Sequence, residues 1–174
     1  MKKIFSLPFI LVLALIPMLS LSSCDDDKNK GLLVDYAPIV FDVACVNSQG
    51  EDLLDVNTAD NIINEEIKVQ YAGQSYPLTE NPLAAHESRY YLAIWHGAFI
   101  RTIKTPDGVM TKTIYIGEID GSETATTDLT LSIGTRNFKL TATNRIKKNL
   151  DAERHYYLDG VEIDNQRGFY RIVL

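Results

Sequence analysis

Apolar and polar residues alternate along much of this chain, with the period of two that is typical of a β-strand with one buried face. Ile67, Val69 and Tyr71 alternate with charged and amide side chains, and the same period recurs over residues 128–133 and 137–142. Five further stretches are rich in β-branched and aromatic residues and predict additional strands. They are residues 34–46, 90–104, 111–119, 156–163 and 169–174.

Turn-forming sequences separate these stretches, because glycine, proline, asparagine and aspartate suit the backbone geometry of tight turns. They include residues 47–50, 72–74 and 159–160. No clear amphipathic helix interrupts the strands, and residues 81–88 and 146–154 have room only for a short turn of helix. We therefore predict an all-β fold, a single antiparallel immunoglobulin-like β-sandwich of about seven to nine strands.

Residues 90–104 depart from simple alternation, because both of their alternating sets are apolar. Such a stretch predicts a central strand that is buried on both faces. Gly97 lies in its middle, and a glycine inside a strand is typical of a bulge or a break. We expect either one bulged strand or two shorter strands here.

The N-terminus has the order of an export signal. Lys2 and Lys3 precede an almost wholly apolar stretch, residues 5–19, that is shorter than a typical membrane span. Leu21-Ser22-Ser23-Cys24 follows and resembles a bacterial lipobox, in which the cysteine is lipidated and becomes the new N-terminus. We predict that residues 1–23 are a signal peptide and that Cys24 carries acyl chains, each buried CH₂ contributing about 0.8 kcal/mol of membrane affinity. Cleavage without lipidation is the alternative.

The residues after the signal form a charged linker, and residues 24–33 are expected to hold the domain away from the membrane. The acidic run at 25–27 resembles the signal that sends Bacteroidales lipoproteins to the outer face of the outer membrane. In other bacteria an aspartate beside the cysteine can hold a lipoprotein at the inner membrane. We predict a surface-exposed outer-membrane lipoprotein with one β-sandwich domain over residues 34–174.

Charge and cysteine content narrow the classes of partner. Removal of residues 1–23 from the 174-residue chain leaves 151 residues, the usual size of one domain, and the loss of Lys2 and Lys3 lowers the formal net charge from −6 to −8. An acidic chain without a basic cluster is unsuited to nucleic acid or to an anionic membrane surface, so membrane contact should come from the lipid. Only Cys45 then remains in the domain, which excludes an internal disulfide and predicts a buried thiol.

Several segments occur in an order that resembles a known family. They are residues 50–55 (Gly-Glu-Asp-Leu-Leu-Asp), 115–121 (Tyr-Ile-Gly-Glu-Ile-Asp-Gly), 157–160 (Tyr-Leu-Asp-Gly) and 168–173 (Gly-Phe-Tyr-Arg-Ile-Val). With the lipobox, they resemble a family of small Bacteroidales lipoproteins described only as domains of unknown function. The resemblance implies an immunoglobulin-like sandwich and a surface lipoprotein, and it lends no established activity. The chain differs at residues 132–135 (Ser-Ile-Gly-Thr), where relatives tend to carry a Trp-Gly-Asp-Gly-like turn.

The sequence contains no motif of an established catalytic or metal centre. Its three histidines lack the spacing of metal ligands: they are His86, His96 and His155. Oxygen-bearing side chains gather between Asp52 and Asn61, but their spacing does not match an EF-hand, and such residues also form turns. Glu118 and Asp120 resemble a glycosidase pair, although two acids near a turn are common. We predict a non-enzymatic protein without a cofactor or a metal.

Trp95, with Tyr90 and Tyr91 nearby, is the candidate ligand-binding group, because aromatic rings stack on the apolar faces of sugars. The alternative is that Trp95 is the core tryptophan of a sandwich. The predicted function is a non-enzymatic, lipid-anchored interaction module of the cell envelope that binds an unknown protein or glycan partner. The second hypothesis is an accessory glycan-binding lipoprotein of a nutrient-uptake system, which predicts a partly exposed Trp95.

Overall fold

The computed structural model of the protein describes residues 36–80, 93, 95, 97–105, 108–163 and 168–174. All regular secondary structure in this part of the chain is β-strand, which confirms the predicted all-β class. The strands are, in chain order, β1 (Ile39–Val46), β2 (Ile67–Tyr71), β3 (Gln74–Thr79), β4 (Ala98–Lys104), β5 (Met110–Ile119), β6 (Ala125–Ile133), β7 (Arg136–Ile146), β8 (Ala152–Leu158), β9 (Val161–Ile163) and β10 (Phe169–Val173).

The ten strands form one hydrogen-bonded sheet in the order β10-β1-β5-β4-β3-β2-β6-β7-β8-β9. The pairing of β1 with β10 and the pairing of β3 with β4 are parallel, whereas the other pairings are antiparallel. The prediction of an antiparallel arrangement throughout is therefore wrong for these two contacts. Alternation reports which face of a strand is buried but carries no information on the direction of its neighbour.

Two local predictions also need correction. The stretch 156–163, predicted as one strand, turns at Asp159 and Gly160 into β8 and β9, which raises the count from the predicted seven to nine strands to ten. Residues 146–154 contain no helix: the backbone N–H of Lys147 donates to the carbonyl oxygen of Asp151 at 2.8 Å, and the turn between them joins β7 to β8.

The sheet curls until it is nearly barrel-shaped. One half of the sheet is joined to the other by the ladder between β3 and β4, which contains only two residue pairs. On the opposite side, the ring of Tyr156 on β8 lies edge-on to the ring of Tyr170 on β10, with 6.3 Å between centroids. The Tyr170 hydroxyl also donates to the carbonyl oxygen of Thr141 on β7 at 3.4 Å. The sheet thus wraps around a single core.

Alternation along the strands places one set of side chains in that core. Phe41, Leu131 and Leu140 are completely buried there, and burial of one such side chain contributes about 1.5–3 kcal/mol. Cys45 is buried among them, as predicted. Burial raises the pKa of its thiol to about 12, so the sulfur is neutral at physiological pH.

β4 begins at Ala98, directly after Gly97, and Gly97 has a φ of +75° that is in the left-handed region. Residues 90–92, 94 and 96 lie outside the described residues, so the choice between one bulged strand and two shorter strands stays a prediction. Ala98 and Phe99 belong to opposite faces of the strand and both are fully buried, so burial on both faces is confirmed at the start of β4. Further along the same strand, Thr102 and Lys104 are exposed.

A buried ion pair ties β1, β4 and β5 together. The Arg101 guanidinium donates to both carboxylate oxygens of Asp42, at 2.9 and 2.5 Å, and the Thr113 hydroxyl donates to the same carboxylate at 3.0 Å. The guanidinium carbon of Arg101 also lies 4.0 Å from the centroid of the Tyr115 ring. Because Asp42 is only 6% exposed, this network is a structural feature of the sheet rather than a surface contact.

Candidate functional site

Trp95 lies in a cluster of three aromatic rings, which we call the aromatic cluster: Tyr71, Tyr76 and Trp95. Its indole is 4.6 Å from the Tyr71 ring and 5.0 Å from the Tyr76 ring, with interplanar angles of 33° and 67°. The hairpin of β2 and β3 explains why the two tyrosines lie on the same side as Trp95. Tyr71 follows Ile67 and Val69 on the inward face, and Tyr76 faces Val69 directly across the hairpin.

Trp95 has features of both sequence hypotheses, the core tryptophan and the exposed binding ring. The side chain is partly exposed, and it packs against the hydrophobic core. Its Nε1 atom is buried and has no hydrogen-bond partner, the only buried side-chain polar atom in this state among the described residues. A buried donor without a partner costs about 1–3 kcal/mol, so the cluster includes one unfavourable group.

A depression with a volume of about 380 Å³ adjoins the aromatic cluster at the end of the β2–β3 hairpin. This volume falls within the range of about 300–1,000 Å³ that is typical of small-ligand sites. Tyr71 is the aromatic residue of its wall, and most of the remaining side chains can form hydrogen bonds. Its lining includes Gln70, Tyr71, Gln74, Asp128, Thr130 and Lys139.

The strand register explains how the polar side chains of the depression come together. Gln70 on β2 lies opposite Thr130 on β6, and Thr130 lies opposite Lys139 on β7. Neighbouring strands are about 4.8 Å apart, so the three side chains form a row across the sheet. Asp128 precedes Thr130 by two residues and therefore shares its face, which is the outer one because Leu129 and Leu131 are buried in the core.

The charges in the depression compensate each other. Asp128 lies 3.1 Å from the ammonium of Lys139, and its other carboxylate oxygen accepts a hydrogen bond of 2.6 Å from the Thr141 hydroxyl. The hydrogen bond from Thr141 is the main reason that the pKa of Asp128 is lowered, and Lys139 lowers it further. The carboxylate is therefore ionised at neutral pH, and the pair carries no net charge.

Several residues singled out in the sequence lie outside the described residues, so nothing tests their proposed roles. They are Cys24, Tyr90, Tyr91, His86 and His96, together with the predicted signal peptide, the linker and the stretch 81–88. His155 is described: it is exposed on β8, and its Nδ1 atom is 2.6 Å from Glu162. This contact links β8 to the short strand β9.

The acidic residues considered as a glycosidase pair each have a separate local partner. Glu118 accepts a hydrogen bond of 3.3 Å from the Tyr115 hydroxyl, whereas Asp120 accepts one of 2.8 Å from the backbone N–H of Ser122. The backbone hydrogen bond from Ser122 is the main reason that the pKa of Asp120 is lowered. A retaining or inverting glycosidase needs one carboxyl group with a raised pKa. Asp120 does not meet that requirement.

The oxygen-rich loop between β1 and β2 uses its side chains to stabilise turns. Asp52 accepts hydrogen bonds from the backbone N–H groups of Leu54 and Lys112, at 2.9 and 2.8 Å. Asp55 accepts one of 3.0 Å from the backbone N–H of Asn57. In the part of the chain that the structure describes, no group of three or more His, Cys, Asp or Glu residues is placed to hold a metal ion.

Sequence reasoning missed Tyr71 and the polar row beside it as a candidate site. The alternation places Tyr71 on the inward face of β2, as observed, and this gives no reason to expect that it borders a depression. Gln70, Thr130 and Lys139 are far apart in the sequence and become neighbours only through the pairing of three strands. The available signal was the hairpin turn at residues 72–74, which marks Tyr71 as the last residue before a turn.

No model of a known protein family matches the chain, and it has no match among curated proteins or solved structures. Within the described residues, no helix has the length and hydropathy that crossing a bilayer requires.

Proposed function

We propose that this protein is a non-enzymatic, lipid-anchored binding module of the cell envelope, displayed on the outer membrane. The lipobox-like sequence ending at Cys24 supports the anchor, and the acidic run at 25–27 supports surface display. The order of segments described above supports membership of the Bacteroidales lipoprotein family of unknown function. The membrane contact is made by lipid, and the folded domain meets the ligand.

We propose an immunoglobulin-like sandwich, with β10, β1, β5 and β4 as one sheet and β3, β2, β6, β7, β8 and β9 as the other. The two-residue ladder between β3 and β4 supports this division, because it is much shorter than the other pairings of β4 and β3. A rigid body of this kind presents hairpins and strand faces to a partner.

The observation that carries the binding role is the aromatic cluster beside the depression. Trp95 and Tyr71 are both partly exposed, and Tyr71 is the last residue of β2 before the hairpin turn, at the border of the depression. Partly exposed aromatic groups with polar neighbours are typical of binding sites, because large rings offer contact area at low entropic cost. A protein or a glycan could occupy such a site.

The second candidate is an accessory glycan-binding lipoprotein of a nutrient-uptake system. The partial exposure of Trp95 favours it, since a completely buried tryptophan would leave no ring surface for a sugar. A non-enzymatic module returns its ligand unchanged. Ligand recovered from the washed complex should therefore have its original mass, and a cleaved product would contradict the proposed absence of catalysis.

The anchor is tested by metabolic labelling with an alkyne fatty acid in a native-like bacterial host. The wild type should be labelled and the Cys24→Ala variant should not. Cys45→Ala is the matched control, because it removes the other cysteine and should leave labelling intact. Equal labelling of wild type and Cys24→Ala, or label that disappears with Cys45→Ala, would contradict the proposal.

A further inference from the structure

We propose that the parallel pair of β1 and β10 is a mechanical clamp, which keeps the domain folded when a load pulls its N-terminal tether against the rest of the body. The clamp consists of residues 42–46 of β1 and residues 169–173 of β10. The inference rests on the proposed lipid anchor, because a bound partner that is drawn away from the membrane would apply this load. It adds resistance to force to the proposed binding function.

The direction of the load follows from the order of the strands. β1 is the first strand after the segment that joins the domain to the predicted linker, and β10 is the last strand. Because the two strands are parallel, the start of β1 and the end of β10 lie at opposite ends of the pair. A pull on Tyr36 and Leu174 therefore slides the strands past each other along their axes. The evenly spaced hydrogen bonds of a parallel ladder then share the load instead of breaking one after another.

The ladder between the two strands is continuous, and hydrogen bonds extend it at both ends. Its five residue pairs follow each other without an irregularity. The backbone N–H of Asp42 donates to the carbonyl oxygen of Gly168 at 2.7 Å, and the backbone N–H of Leu174 donates to the carbonyl oxygen of Val46 at 2.9 Å. Movement of β1 along β10 has to break these bonds together, whereas separation from one end breaks only the bond at that end first.

Packing on the inward face resists the same movement. Tyr170 and Ile172 of β10 are 1% and 3% exposed. Phe41 and Val43 of β1 are completely buried, and the rings of Phe41 and Tyr170 lie 5.8 Å apart between centroids. Because protein cores are closely packed, sliding of β1 along β10 would force these side chains past one another.

β1 is also held on its other side. It pairs with β5 in the antiparallel direction. The guanidinium of Arg101 on β4 donates to both oxygens of the Asp42 carboxylate, at 2.9 and 2.5 Å, and the Thr113 hydroxyl on β5 donates to the same carboxylate at 3.0 Å. A load on β1 is therefore passed to two further strands, so β1 remains in place while the ladder to β10 is stretched.

The tether enters the fold at a fixed point. The guanidinium of Arg154 on β8 donates to the carbonyl oxygens of Ala37 and Pro38, the latter at 3.1 Å. Its Nε atom donates to the side-chain oxygen of Asn144 on β7 at 2.9 Å, and Asn144 is only 2% exposed. The residues just before β1 are thus held against the body, and a pull on the linker is delivered at the start of β1.

Single-molecule force spectroscopy tests the inference by pulling the same protein in two directions. The full chain carries Cys24→Ala, so that handles attach only at introduced cysteines, because Cys45 is buried and a buried thiol is inert. One handle is attached to a cysteine appended after Leu174. The other is attached through Tyr36→Cys, which loads the clamp in shear, or through Ser48→Cys. Ser48 lies just beyond the end of β1, so this second handle separates β10 from β1 starting at one end.

Forced unfolding measures the barrier to unfolding rather than the equilibrium free energy. At equal loading rates, the unfolding force with handles at residue 36 and the C-terminus should be at least about twice the force with handles at residue 48 and the C-terminus, because shear loads the ladder bonds together. The contour length released identifies complete unfolding in both directions. Equal forces in the two directions, or a lower force in shear, would overturn the inference.

A matched pair of glycine variants tests whether the ladder sets the force. Gly168→Ala would place a Cβ atom against the carbonyl oxygen of Val40 on β1, whereas Gly160→Ala, also at a positive φ, meets open space outside the clamp. Gly168→Ala should lower the shear force by about a quarter or more and the force of end-on separation by less, because that separation starts at the other end of the ladder. Gly160→Ala should change both forces by less than about a tenth. An equal fall of both forces for Gly168→Ala would show a general loss of stability and contradict the role of the ladder.

The outcomes for the two proposals are distinct. Absence of acyl label at Cys24 removes the membrane as the source of the load and leaves the clamp. Equal forces in the two pulling directions remove the clamp and leave the anchor and the binding role.

Discussion

Replacement of Arg101 by methionine should destabilise the sheet strongly, because it leaves the Asp42 carboxylate buried without its cation. The substitution keeps a long flexible side chain in place and removes two hydrogen bonds of 2.9 and 2.5 Å. The Thr113 hydroxyl, at 3.0 Å, would then be the one remaining side-chain donor to Asp42 among those that the structure describes. A carboxylate that is 6% exposed cannot recover the lost bonds from bulk water without local opening.

The expected magnitude follows from the geometry. Removing one partner of a buried pair costs about 3–5 kcal/mol. The Arg101 side chain is 29% exposed, so water can reach part of the site and the lower end of the range applies. We expect a loss of about 3 kcal/mol, which corresponds to a decrease in Tm of roughly 6–12 °C for a domain of this size. The double variant Asp42→Leu/Arg101→Met should recover most of that loss, because it leaves no unpaired charge.

Urea denaturation followed by far-ultraviolet circular dichroism measures these differences, with the m-value held constant across variants. Lys68→Met is the matched control, because it removes a lysine from the exposed pair with Glu66 at 3.1 Å. Exposed pairs contribute at most about 1 kcal/mol, so the control should change little. Equal losses for Arg101→Met and Lys68→Met, or a double variant less stable than either single variant, would refute the reasoning.

Three further outcomes are expected. Gly168→Ala should lower the free energy of unfolding by about 2 kcal/mol more than Gly160→Ala does. Both glycines have positive φ, but only at Gly168 would a Cβ atom collide with the carbonyl oxygen of Val40. Equal losses for the two variants would contradict this. Trp95→Phe should lower the free energy of unfolding by less than about 1 kcal/mol, because it removes an N–H without a partner, whereas Trp95→Ala should lower it by about 3 kcal/mol. Similar losses for the two variants in urea denaturation would show that the buried N–H carries no penalty. Burial raises the pKa of Cys45 from 9.0 to about 12, so the folded state favours the protonated thiol. The contribution of this thiol to the stability of the fold should be complete below pH 9 and should disappear as the pH rises towards 12. Cys45→Ala should reduce this loss in denaturation curves measured on both sides of pH 9, and an unchanged pH dependence would contradict the assignment.

The parts of the fold that were predicted correctly depend on local periodicity. β2, β6 and β7 follow the alternation of their apolar residues, and β4 begins directly after Gly97. These features are local because a strand with one buried face must alternate, whatever its neighbours are. The buried state of Cys45 followed from the same alternation.

The features that were missed depend on pairing between distant segments. β1 and β10 lie side by side although they are the first and last strands, and no periodicity indicates that they run parallel. The turn at Asp159 and Gly160 was visible, but a strand as short as β9 has too few residues to show a period. The contact between Trp95 and Tyr71 likewise joins two segments that are far apart in the sequence. Local sequence patterns determine which face of a strand is buried, whereas pairing determines what lies beside it.

The central claim is that a lipid on residue 24 holds a folded binding body at the cell surface. Its most direct test is mass spectrometry of the N-terminal peptide that stays in the outer membrane after protease treatment of intact cells. We predict a peptide that begins with Cys24 and carries fatty acyl chains, together with release of the folded body into the medium. A peptide that begins at another residue or lacks acyl chains, or a body that intact cells protect from the protease, would contradict the account.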